Sequence, residues 1–123
     1  MKIFFILLIF FINFSQISKA EFILKKIIDL NNPWGSSFID EDRLIVTEKS
    51  GNIKLVNVKS KNIINIEHNL NYLEHGQGGL LDILFKNNYV YISYSENRGN
   101  LKTSTSIARA KFDKKKLDFE NIF

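Results

Sequence analysis

From Phe22 onward, apolar and polar positions alternate in twos, the period of a strand that buries one face. β-branched and aromatic residues fill the apolar positions, and no window carries a 3.6-residue stripe, so the chain reads as all-β. Strands are expected at Phe22–Leu30, Gly35–Ile39, Arg43–Glu48, Asn52–Val58, Asn62–Glu67, Gly79–Phe85, Tyr89–Ser95, Thr103–Phe112 and Asp118–Phe123. Turn-forming clusters separate them: Asp40-Glu41-Asp42, Ser50-Gly51-Asn52, Lys86-Asn87-Asn88 and Asn97-Arg98-Gly99-Asn100. These connections are too short for parallel crossovers, which makes the strands antiparallel neighbours.

The strand series repeats. The four strands from Gly35 to Glu67 form one set, and a second opens at Gly79 and starts its fourth strand at the C-terminus. Leu44 and Val90 occupy equivalent places 46 residues apart, a spacing that suits a four-stranded propeller blade. Two blades leave their outer faces bare, because each blade buries its faces against neighbours. The chain is therefore expected to be the N-terminal part of a larger propeller, the alternative being a ring closed by copies of itself. Phe119–Phe123, a strand that stops without a turn or polar tail, favours the larger fold.

The first twenty residues follow another pattern. Lys2 precedes ten consecutive apolar residues, Ile3 to Ile12, whose helical rise of about 15 Å is roughly half a hydrocarbon core. A polar stretch follows, then Ser18 and Ala20 at the minus-three and minus-one places of a signal-peptidase site. Residues 1–20 are expected to be a signal peptide cleaved after Ala20, which makes the protein exported, periplasmic or secreted, without a stable membrane anchor. Residues 21–123 are expected to be the propeller portion.

Composition narrows the choices further. There is no cysteine, which excludes a disulfide-stapled domain and a lipid-anchored N-terminal cysteine. Removing Lys2 and Lys19 from the 17 basic residues leaves 15 against 13 acidic ones, a net charge of +2, and that is no nucleic-acid footprint. Lys114-Lys115-Lys116, after Asp113, reads as a solvated turn.

Three stretches stand in a recognisable order: Asn32-Pro33-Trp34-Gly35 leading into Leu44-Ile45-Val46-Thr47-Glu48, then Gly76-Gln77-Gly78-Gly79-Leu80-Leu81-Asp82-Ile83, then Tyr91-Ile92-Ser93-Tyr94-Ser95-Glu96. Together with Thr105-Ser106-Ile107-Ala108-Arg109-Ala110 they resemble the glucose/sorbosone dehydrogenase family, soluble quinoproteins that include aldose sugar dehydrogenases. The resemblance implies a six-bladed propeller that oxidises aldose sugars to lactones with pyrroloquinoline quinone (PQQ) and calcium. It implies a sugar substrate and leaves the electron acceptor open. A histidine takes the anomeric hydroxyl proton in such enzymes, from a His-x-Gly-Gly-Arg-Leu type motif that this chain does not contain. No catalytic residue is therefore expected here, and the quinone and calcium ligands are expected mostly in later blades. Gln77 occupies the glutamine of the family's Gly-Gln-x-Gly-Leu-Leu motif, which implies substrate binding. Its amide can pair with sugar hydroxyls without a charge to desolvate.

Other polar residues read as structural. His75 lies two positions from Gln77 but does not match the family's base, and His68 reads as a surface or turn residue. Glu74 and Asp82 belong to no spaced set of oxygen ligands, so no complete metal site is expected. Asp82 is expected to bond a neighbouring backbone group. Gly76, Gly78 and Gly79 precede a strand rather than a helix, which argues against a phosphate cradle and for close backbone approach. Trp34 and Tyr72 are expected in packing between blades rather than stacked on a sugar. A rival reading is a secreted propeller that binds a ligand or protein without redox chemistry, since fold does not fix function.

Overall fold

Strand pairing in the computed structural model, which describes residues 21–123, follows the repeat; the expected signal peptide lies outside the described residues. The strands are β1 (Pro33–Phe38), β2 (Arg43–Glu48), β3 (Ile53–Asn57), β4 (Ile63–His68), β5 (Leu80–Lys86), β6 (Tyr89–Asn97), β7 (Thr103–Lys111), β8 (Lys116–Leu117) and β9 (Glu120–Asn121). There is no helix among the described residues. One sheet runs β1-β2-β3-β4-β8 and the other β5-β6-β7-β9. Every pairing is antiparallel except β4 with β8. Arg43 of β2 and Tyr89 of β6 open equivalent second strands, so the 46-residue repeat is real in three dimensions.

Alternation decides which face is buried. On β6, Val90, Ile92 and Tyr94 are buried, and opposite them on β7 stand buried Ala110, Ala108 and Ser106. The small β7 side chains leave room for Leu117 and Phe119 to join the same core as Ile45, Leu55, Ile66 and Ile83. Phe85 and Phe112 close one end of it edge-to-face, with centroids 5.5 Å apart.

Two expectations are corrected. Phe22–Leu30 is not a strand: Phe22, Ile23 and Leu24 are 90%, 85% and 98% exposed. Period-two patterning marks strand competence, yet a strand forms only where its backbone groups find ladder partners, and neither sheet of the described residues includes this segment. The strand expected near Asp118–Phe123 is reduced to Glu120–Asn121, and a separate two-residue strand precedes it. Lys116–Leu117 pairs parallel with Glu67–His68 of the first sheet, and Glu120–Asn121 crosses to pair with Arg109–Ala108 of the second. Asn69 holds the crossing point, accepting from Phe119 N–H at 2.7 Å and donating to Phe119 O at 3.1 Å. The lysine run is a turn, where Asp113 Oδ1 accepts from Lys115 and Lys116 N–H at 2.6 and 3.2 Å.

Candidate functional site

The two sheets meet through their first strands, β1 and β5, and both strands carry a register irregularity near their start, between Pro33 and Ser36 and between Leu80 and Ile83. A bulge leaves ladder groups unpaired. Fully buried Thr47 serves both bulges: its Oγ1 accepts from Gly35 N–H at 3.0 Å and donates to Leu81 O at 2.5 Å. Ser93 Oγ accepts from Asp82 N–H at 3.1 Å, and Ser37 Oγ accepts from Phe85 N–H across the seam at 2.9 Å. Gly35 is required because a Cβ there would lie 2.7 Å from Asp82 Cα and 2.9 Å from Ile83 N. The Gly of the Pro-Trp-Gly triplet is thus the point where the two strands touch.

The loops β2–β3, β4–β5 and β6–β7 and the lead-in to β1 gather at one end of this seam. Buried Glu48 organises them. Its carboxylate accepts from Asn31 N–H and from Asn52 Nδ2, both at 2.8 Å, with Lys54 Nζ at 3.7 Å. The 69–79 loop runs over the end of β6: Leu73 N–H donates to Ser95 O and Asn97 N–H to Asn71 O. Tyr72 donates its hydroxyl to Ser50 O at 3.0 Å and packs against the core. His68 Nε2 lies 2.7 Å from Gly51 O, while Nδ1 accepts from Leu70 N–H at 3.3 Å. This pattern makes Nε2 the protonated nitrogen.

Gln77 is exposed within a tight turn that closes by Gly78 N–H donating to His75 O at 2.8 Å, with Gly76 at φ 56°. Gly79, buried at φ 139°, then leads into β5; a Cβ there would fall 2.2 Å from Lys49 O. The close approach read from the glycines is present, and its partner is the β2–β3 turn. Lys49 Nζ donates to Gly76 O at 2.5 Å.

The structure sorts the remaining candidates. His75 and Glu74 are exposed in the same loop. Asp82 bonds backbone as expected, accepting from Ile83 N–H at 2.9 Å. Tyr72 packs as expected, whereas Trp34 is 50% exposed at the start of β1. Expected as a surface or turn residue, His68 is a half-buried bracket between two loops. No group of three or more metal-ligating side chains converges among the described residues. Sequence reasoning missed Lys49, Thr47 and Glu48. The signal available was two polar residues, Thr47 and Glu48, directly following the apolar run Leu44–Val46.

A five-stranded and a four-stranded sheet, antiparallel apart from the short β4–β8 pair and joined through their first strands, with loops gathered over one end of that seam, are consecutive blades of a β-propeller. The sequence profile of the Glucose / Sorbosone dehydrogenase family matches residues 30–123, and the chain belongs to that family. A crystal structure of a glucose dehydrogenase superposes with TM-score 0.74 at 27% identity, over 80% of this chain and 32% of that one. The PQQ-bound aldose sugar dehydrogenase of Streptomyces coelicolor gives TM-score 0.70 at 22% identity, over 82% of this chain and 33% of that one. The soluble aldose sugar dehydrogenase of Escherichia coli, in its apo form, gives 0.69 at 24% identity, over 76% and 30%. An uncharacterized protein of Synechocystis sp. is 28% identical over 88% of this chain and 30% of its own length. The chain thus spans about a third of the length of the proteins it matches.

Proposed function

We propose that this chain is the N-terminal, exported portion of a PQQ-dependent dehydrogenase that oxidises aldose sugars to lactones, and that Gln77 forms part of its substrate site. The observation that carries the reading is the presentation of Gln77. A neutral amide stands exposed on a glycine turn at the loop end of the blade seam, in a chain of the sugar dehydrogenase family. The Gln77 loop supplies an amide, exposed Glu74 and His75 and backbone carbonyls, with the Lys49 ammonium on Gly76 O, and no group of three or more metal-ligating side chains converges among the described residues. That donor set does not make a calcium site or a quinone cradle by itself. It suits one wall of a sugar site, where an amide can both donate to and accept from hydroxyls. The quinone, when bound, supplies the hydride acceptor; this chain contributes substrate orientation.

The test has two parts. Reading the frame beyond the Phe123 codon should reveal further blades and a His-x-Gly-Gly-Arg-Leu motif. In the protein encoded by that whole frame, Gln77→Ala should lower kcat/KM for aldoses by about ten-fold, the loss expected for one or two hydrogen bonds. Unchanged kinetics would remove Gln77 from the site. A stop codon directly after Phe123 would favour a secreted propeller that binds without redox chemistry.

A further inference from the structure

Lys49 makes three connections, two to the starts of the inner strands and one to the loop before β5. Its N–H donates to Asn32 O at 3.1 Å, just before β1, and its O accepts from Leu80 N–H at 3.3 Å, at the start of β5. Its ammonium reaches 27 residues along the chain to Gly76 O. Glu48, immediately before it, is locked to Asn31 and Asn52, so the backbone from which the lysine side chain leaves is fixed. Gly79 is pressed against Lys49 O so closely that no Cβ fits. The Gly76–Gly79 loop is therefore tied to Lys49 at both ends, by a backbone contact at Leu80 and by a charged hydrogen bond at Gly76.

The second tie acts on the peptide that joins Gly76 to Gln77. There is no cis peptide bond, and in a trans, planar peptide the C=O and the following N–H point in opposite directions. Drawing Gly76 O toward the ammonium aims Gln77 N–H away from Lys49 and sets the peptide plane from which the Gln77 Cα leaves. An exposed two-residue turn with glycine at one position has many alternatives. A charge-assisted bond, about twice as strong as a neutral one, selects among them.

We infer that Lys49 is the positioning residue of the Gln77 turn: it touches no substrate itself and sets the orientation in which Gln77 meets the sugar. The kinetic part of this inference rests on the sugar-binding reading of Gln77; the geometric part does not.

The experiment uses the protein encoded by the whole reading frame and compares Lys49→Met, Lys49→Arg, Gln77→Ala and the Lys49→Met/Gln77→Ala double variant. Amide exchange is read first: Lys49→Met should speed exchange at Gly78 about ten-fold, with β6 protection unchanged, since a charged hydrogen bond no longer holds the turn. Unchanged exchange at Gly78 overturns the inference. In kinetics, Lys49→Met should raise KM for an aldose about five-fold with kcat within about two-fold, and Lys49→Arg should restore most of it. The double variant should be no worse than Gln77→Ala, because the lysine acts through the glutamine. A full additional loss in the double variant overturns the positioning role. If Gln77→Ala alone leaves the kinetics unchanged, the sugar reading fails, and the exchange measurement still decides what Lys49 does.

Discussion

The two ends of the blade pair are built differently. At the end away from Gln77, side chains mostly close their own turns, with Lys59 Nζ and Val58 N–H reaching Asp42 as the cross-ties between the β1–β2 and β3–β4 turns. Asp40 accepts from Asp42 and Arg43 N–H, Asn57 from Lys59 and Ser60 N–H, and Asp113 from Lys115 and Lys116 N–H. Asn87 and Asn88 both take positive φ, as a two-residue hairpin loop requires. At the Gln77 end the bonds are long-range: Asn31 to Glu48, His68 to Gly51, Tyr72 to Ser50, Lys49 to Gly76, and Asn71 to Asn97. Local turns can be replaced one at a time. A network linking four segments cannot, and such a scaffold is what precise presentation of one amide requires.

The sharpest way to break this contrast is Gly79→Ala. Its Cβ would meet Lys49 O at 2.2 Å, at a φ that L residues rarely adopt, so a loss of about 3 kcal/mol or more is expected in denaturant unfolding. A variant as stable as the wild type would show that the loop end yields as easily as the other. Next comes Glu48→Ala, which removes the buried carboxylate that ties Asn31 N–H and Asn52 Nδ2 together. About 2 kcal/mol should be lost, and exchange should quicken in both attached segments, whereas Asp40→Ala should disturb only its own turn.

The smallest expected effect is acid sensitivity at the far end. Asp40 is held below its ordinary 3.8 chiefly by its bond to the Arg43 side chain, and Asp113 chiefly by the amides of Lys115 and Lys116. A depressed folded-state pKa means the unfolded chain binds more protons, so the contribution is complete above 3.8 and disappears as pH falls below it. Amide exchange at Arg43 and Lys115 should quicken in that window. Loosening at Leu73 or Gly78 before these two sites would contradict the division.

How much was legible in the sequence follows the same division. The blade repeat, the turn-forming clusters and the Asp113–Lys116 turn were readable because each rests on a local pattern of residue types. The Gln77 turn was readable as a glycine turn, but not what presses on it. Lys49 looks like any turn lysine until β2 is laid beside the start of β5. Thr47 looks like a strand threonine until two bulges leave Gly35 N–H and Leu81 O for it to satisfy.

The all-β class, the strand period, the blade repeat and the chemistry of the turns follow from the order of residues alone, since hydrophobic alternation and turn propensity are local properties. Tertiary packing settled that Phe22–Leu30 stays unpaired, that the chain end is divided between two sheets by a short strand before Asp118, and that Lys49 ties the Gln77 loop while Glu48 ties the lead-in to β1 to the β2–β3 turn. Those outcomes depend on which strand edges are open and which backbone groups are left unsatisfied, and neither is fixed until the sheets have packed.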